Sequence, residues 1–212
     1  MILPLPVTTP AGEKDVQFID LKGYPDFFDD LRSGFPIPPM PASAGSDRAV
    51  ATASKHTLEV VQVGDFEASF VPVVEDFSRL DDRFRLPDNA WKDLPAYSDH
   101  GFAVFKLKSG AQRIHPMAFS FPNRDTRLFF PTVHIHDGKV HNTAKFDHAL
   151  YCQPHGEQHL ALGSKWEESA SHARRFMNLD KSKGLLEPDQ HCYRRELRGS
   201  LRNQDTFVTL AA

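Results

Sequence analysis

His134, His136 and His141 fall within eight residues, and Asp147 follows shortly after. Imidazole is a ligand for Zn, Cu, Fe and Ni, and three on one surface can share a single ion. An open coordination position would then hold water or substrate for metal-assisted chemistry. Asp147 would serve as a fourth ligand or as a carboxylate orienting one of the imidazoles. A row of histidines on the wet side of a strand can instead be a solvated or partner-contacting face with no metal, or part of a buried hydrogen-bonded network.

The element that must position these groups is the stretch from Phe129 to Cys152. Asp137-Gly138 lies between runs rich in Val, Ile, Phe and Thr, which predicts a β-hairpin with a two-residue turn of positive φ. That turn pairs His136 with Lys139, Ile135 with Val140, and His134 with His141. Side chains alternate across a strand. One face then carries Val133, Ile135, Val140, Ala144 and Phe146, with Asn142 the exception. The other carries Thr132, His134, His136, Lys139, His141, Thr143, Lys145 and Asp147. Cross-strand Cβ atoms lie ~5 Å apart, within reach of one shared ion. His134-x-His136 with a third histidine resembles the metal strand of cupin-like barrels. Phe129 stands where that pattern has a glycine, and no Glu follows at its spacing, so no function is carried over.

Other ligand-bearing residues fall into weaker patterns. Cys152, His155 and His159 have the spacing of half a zinc site, and Cys192 with His191 is the only available complement. His115 shares an apolar face with Met117, Phe119 and Phe121, which predicts a core histidine satisfied by hydrogen bonds. Arg194, Arg195, Arg198 and Arg202 make the C-terminal region locally basic. Two cysteines in 212 residues are too few for a disulfide scaffold and read as buried thiols. No phosphate-binding glycine loop, nucleophile elbow or zincin helix occurs.

Composition narrows the class. With 40% hydrophobic and 25% charged residues the chain reads as globular. Seventeen Phe supply a large apolar area. A net charge of −3 argues against nucleic acid as the partner, leaving a small molecule or a protein. No run approaches the ~18 apolar residues of a membrane span, and the first residues lack a signal-peptide pattern, so the expected location is cytoplasmic.

The remaining segments set the architecture. Asp20 to Arg32 predicts a short helix with Gly34 as its C-cap. Residues 35–55 are Pro/Ala/Ser-rich and read as a loop or wrapping linker. Thr57 to Val71 predicts a hairpin turning at Gly64-Asp65, and Gly101 to Phe121 predicts another. Residues 164–179 carry a capping-box pattern, Ser164 with Glu167. An apolar stripe of Trp166, Ala170, Ala173, Phe176 and Met177 predicts a helix there. Strands are expected over His191–Leu197 and Thr206–Leu210. Residues 1–212 thus read as one α+β domain, mainly antiparallel hairpins in one or two packed sheets, with a short N-terminal helix and a flanking helix at 164–179.

Two functions follow from this reading. The first is a non-catalytic binding or interaction domain that presents the histidine face. The second is a metal-dependent enzyme of hydrolase or oxygenase type, with Zn or Fe held by His134, His136 and His141 and with Asp147 beside them.

Overall fold

The computed structural model describes residues 1–36, 58–81, 84, 95–108, 114–134, 140–156, 158 and 162–210. Most of the Pro/Ala/Ser-rich segment and the Asp137-Gly138 turn, with Ile135, His136 and Lys139, lie outside the described residues. The protein is α+β, with mostly antiparallel strands in several sheets and few helices.

The first half holds β1 (Ile2–Leu5), β2 (Gln17–Asp20), α1 (Phe27–Ser33), β3 (Val60–Val63) and β4 (Phe66–Val71). It continues with β5 (Gly101–Leu107), β6 (Met117–Ser120) and β7 (Leu128–Phe130). The second half holds β8 (Thr143–Cys152), β9 (Glu167–Glu168), α2 (Leu179–Ser182), β10 (Tyr193–Arg202) and β11 (Thr206–Val208). Among the described residues the ladders are all antiparallel: a four-stranded sheet β1-β5-β4-β3, a three-stranded sheet β8-β10-β9, and two ribbons, β11-β7 and β2-β6.

The four-stranded sheet is buried on both faces, and its sequence shows why. Along β4 and β5, Phe66, Ala68, Phe70, Ala103 and Phe105 point into one core with Leu5, Val7 and Val63. The intervening Val71, Phe102 and Val104 point into a second core with Leu58, Phe77 and Leu80. Alternation that is apolar on both sides drives both faces out of water, at about 1.5–3 kcal/mol for each large side chain fully buried. Pro4 is accommodated because β1 is an edge strand, where a missing N–H leaves no ladder bond unmade.

The hairpin around Gly64-Asp65 forms as its sequence predicts, with Val63 opposite Phe66. Gly64 has φ +60°, and a Cβ there would collide with the His115 ring. His115 is buried and locks this turn. Its Nε2 accepts the Asp65 N–H at 2.9 Å, and its Nδ1 lies 2.8 Å from the Pro116 carbonyl, to which it donates. His115 is thus a satisfied core histidine, as its apolar neighbours predict.

Two expectations are corrected. Strands β5 and β6 do not pair with each other. β5 lies between β1 and β4, while β6 pairs with β2. The helix over 164–179 is absent. Its stripe serves two cores: Trp166 packs with Tyr193 and Leu197, whereas Ala173, Phe176 and Met177 pack with α1 residues and Cys192. Its backbone donors are taken by distant carbonyls. Ser169 N–H bonds Cys192 O, Ala170 N–H bonds Gly34 O, and Ala173 N–H bonds Gln190 O. Those partners replace the i−4 carbonyls a helix requires. Gly34 admits the close approach, since a Cβ would sit 2.6 Å from the Phe176 ring.

Candidate functional site

The two arms of the histidine region pair with the C-terminal strands. β7 pairs with β11 and β8 with β10. The ten-pair β8-β10 ladder fixes the alternation of β8: Phe146 and Leu150 are buried, while Thr143, Lys145, Asp147 and Ala149 are exposed. Counting by twos from Phe146 places His148 on the inner face, between Phe146 and Leu150, where it is half-buried.

His134 reaches that face from outside any ladder among the described residues. Side chains of the β10-β11 connection hold its backbone. Asn203 Oδ1 accepts the His134 N–H at 2.7 Å, and Asn203 Nδ2 donates to the His134 carbonyl at 2.8 Å. One amide thus satisfies both backbone groups of an irregular residue, as a ladder neighbour would. Asp205 continues the clamp. Its Oδ1 accepts the N–H groups of Thr132 at 2.8 Å and Val133 at 3.1 Å, and its Oδ2 accepts the Tyr97 hydroxyl at 2.5 Å. Burial, then this carboxylate, pushes the Tyr97 hydroxyl well above the usual phenol range. Thr132 Oγ1 donates to the Gln204 carbonyl at 2.9 Å.

So placed, the His134 ring lies over Phe146, with centroids 4.5 Å apart at 31°, and beside His148, with centroids 4.9 Å apart. The two Nε2 atoms are 2.8 Å apart. At that separation one ring donates its proton and the other accepts it. The pair has Phe146 on one side and is reachable from solvent, since both histidines are half-buried.

The other expected members are placed differently. His136 lies outside the described residues. His141 is exposed and, like Val140, precedes β8 in irregular chain. Asp147 projects from the opposite side of β8 to His148, and its carboxylate lies 3.2 Å from Arg198 Nη1. The hairpin register predicts His134 on the face away from Phe146, opposite His141; instead its ring lies over Phe146 and its Nε2 meets that of His148, while His141 is exposed. Alternate positions along Thr143–Cys152 carry the signal for His148. Asn203 and Asp205, 69 to 73 residues from the backbone groups they hold, carry no local signal.

Of the cysteine pattern, His159 lies outside the described residues, and the described members are dispersed. Cys152 turns toward the core containing Leu150 and Trp166, Cys192 toward the core containing Leu31 and Met177, and His155 is exposed. Both thiols are free. Burial raises Cys152 to about 12, with the nearby Cys192 thiol adding to it, and burial raises Cys192 to about 11. Neither thiol is tuned for nucleophilic attack, which needs a lowered value. The basic strand is also engaged. Arg194 is buried, stacks 4.8 Å from the Phe35 ring and pairs with Glu167, and Arg198 pairs with Glu196. Among the described residues no three His, Cys, Asp or Glu side chains converge in a metal-ligating group. None of the described helices is long and apolar enough to cross a membrane.

Comparison with protein-family models, with curated proteins and with solved structures finds no match for this chain.

Proposed function

We propose that the protein is a non-catalytic binding domain whose contact surface is the histidine face centred on His134 and His148. One observation carries this reading. Two half-buried imidazoles from separate segments are held edge to edge over Phe146, with Nε2 atoms 2.8 Å apart. An apolar floor with a few convergent polar groups is the usual build of a small-molecule site or an interaction centre. A ligand bearing an acceptor or donor can take over the hydrogen bond that the two rings make with each other.

The same convergence favours a second reading. Two Nε2 atoms this close could be bridged by Zn or Fe, with His148 joining His134 and the enzyme chemistry following from an open coordination position. In that case Asp147 stands on the wrong side of β8 to ligate the same ion.

The variant His134→Ala plus His148→Ala separates the two. Removing both rings leaves neither Nε2 facing a lost partner, so the fold should stay intact with a modest loss of stability, about 1–2 kcal/mol. Under the binding reading, chelator leaves Tm unchanged. In a thermal-shift panel of small carboxylates, phosphates and aromatic acids, at least one compound stabilises the wild type and not the variant. Near-stoichiometric metal in protein purified without a histidine tag, lost in the variant, overturns the binding reading in favour of the metal one. A collapse of the fold in the variant overturns both and makes the pair a structural contact.

A further inference from the structure

We infer that the surface depression formed by residues 170–175 and His191 is a binding site for a phosphate group. The depression has a volume of about 330 Å³, opens to solvent, and is lined by Ala170, Ser171, His172, Arg174, Arg175 and His191. It lies on chain segments unrelated to the His134–His148 pair.

The walls are fixed before any ligand arrives. Ser169 N–H bonds Cys192 O, Ala173 N–H bonds Gln190 O, and Arg174 N–H bonds Pro188 O. Ser169 Oγ donates to the Ser171 carbonyl at 2.8 Å and accepts the Cys192 N–H at 3.0 Å. These bonds join two loops into one rigid rim, and Ala173, fully buried, anchors it to the core beneath α1. Preorganised donors of this kind bind without the cost of ordering a loop.

The polar groups on the rim match an oxyanion. Arg175 is exposed and has no ion pair among the described residues, so its guanidinium fork is available. Arg174 is held in place by its ion pair with Asp189. The His172 and His191 rings meet edge to face, with centroids 4.5 Å apart. His191 Nδ1 is 2.8 Å from the Ser169 carbonyl, so this nitrogen carries the proton and Nε2 remains for a ligand. The neighbouring carboxylates are engaged elsewhere. Asp189 faces Arg174, and Glu168 Oε1 accepts the Tyr193 hydroxyl at 3.2 Å while lying 3.6 Å from His191 Nδ1. The Arg175 guanidinium, the His172 imidazole and the Ser171 hydroxyl around one hollow offer donors on several sides, and His191 Nε2 can accept the proton of a protonated phosphate oxygen, which suits a tetrahedral oxyanion better than a planar carboxylate. The hollow reaches the small end of the ~300–1,000 Å³ range of ligand sites, so it accommodates a phosphate ester as well as free phosphate.

The test is a titration of the full chain with inorganic phosphate, with phenyl phosphate, and with KCl at matched ionic strength. It is followed by NMR at the side chains of His172, His191 and Arg175. Saturable shifts with a phosphate and none with KCl are expected. Tighter binding of phenyl phosphate identifies an ester as the ligand, and equal binding identifies free phosphate. Arg175→Gln should weaken binding by about tenfold, the loss of one charge-assisted hydrogen bond. Arg175→Lys, which keeps the charge and loses the fork, should fall between. Both changes are at an exposed position, so the fold persists. Shifts that grow linearly and match those in KCl, or an Arg175→Gln variant with wild-type affinity, overturn the proposal.

Discussion

Asn203→Ala should loosen His134 without disturbing the sheet that carries His148. The substitution removes an acceptor 2.7 Å from the His134 N–H and a donor 2.8 Å from its carbonyl. A typical intramolecular hydrogen bond contributes about 0.5–1.5 kcal/mol net, so the pair contributes about 1–3 kcal/mol. The lower half of that interval applies, because Asn203 is half-exposed and water can reach the freed groups. The Asn203 backbone N–H still bonds the Asn142 carbonyl at 2.9 Å, and the ten pairs of β8-β10 remain. The assay is urea unfolding monitored by circular dichroism, run as a double-mutant cycle with His148→Ala. If Asn203 acts by holding the His134 ring against His148, the two losses are not additive, with a coupling of roughly 0.5 kcal/mol or more. Asn203→Asp supplies a control: it keeps an acceptor for the N–H but sets a carboxylate oxygen against the His134 carbonyl, so it should restore nothing. A loss below about 0.5 kcal/mol in Asn203→Ala, or strict additivity in the cycle, would refute the clamp.

Two further outcomes follow from buried groups elsewhere. His115→Ala leaves the Asp65 N–H and the Pro116 carbonyl without their partners and opens a void beside Phe66, so urea unfolding should show a loss of about 2–4 kcal/mol; less than 1 would mean the turn holds itself. Stability should also fall at alkaline pH. Burial holds the protons of Cys152 and Cys192 to about 12 and 11, and those of Tyr24 and Tyr193 to about 12, above their ordinary values. Between the ordinary and raised values the unfolded chain has released protons that the folded one keeps. The contribution is therefore complete below the ordinary thiol value and is lost as pH rises, by at most roughly 1.4 kcal/mol per pH unit for each group. Tm in reductant should drop between pH 9 and 11, and a flat or rising profile would contradict the buried placement of the thiols.

Legibility in the sequence tracks how local the determining contacts are. The Gly64-Asp65 hairpin and the alternation of β8 depend on residues a few positions apart and read correctly; helix α1 forms only over Phe27–Ser33, the later part of the expected Asp20–Arg32, because Asp20 ends β2. His115 reads as a core residue from its own strand neighbours. Pairing partners separated by a hundred residues do not read at all: β1 flanks β5, and β2 captures β6, through contacts that no local pattern encodes. The stripe from Trp166 to Met177 has helical spacing yet feeds two cores, and local periodicity cannot distinguish one buried face from two. At the candidate site, His134 stands out by composition. His148 was legible only by extending the alternation, and Asn203 and Asp205 only through the fold.

The clamp also dictates an order of assembly. His134 emerges 69 residues ahead of the amide that grips it, so the imidazole pair cannot be set while those residues are still being added. The β8-β10 ladder, which carries His148 and ends at Arg202 opposite Thr143, brings the Asn203–Asp205 corner alongside residues 132–134. Closing a loop of that length costs chain entropy that the ladder contacts must offset. The imidazole pair is then set only once the C-terminal strands have joined the fold.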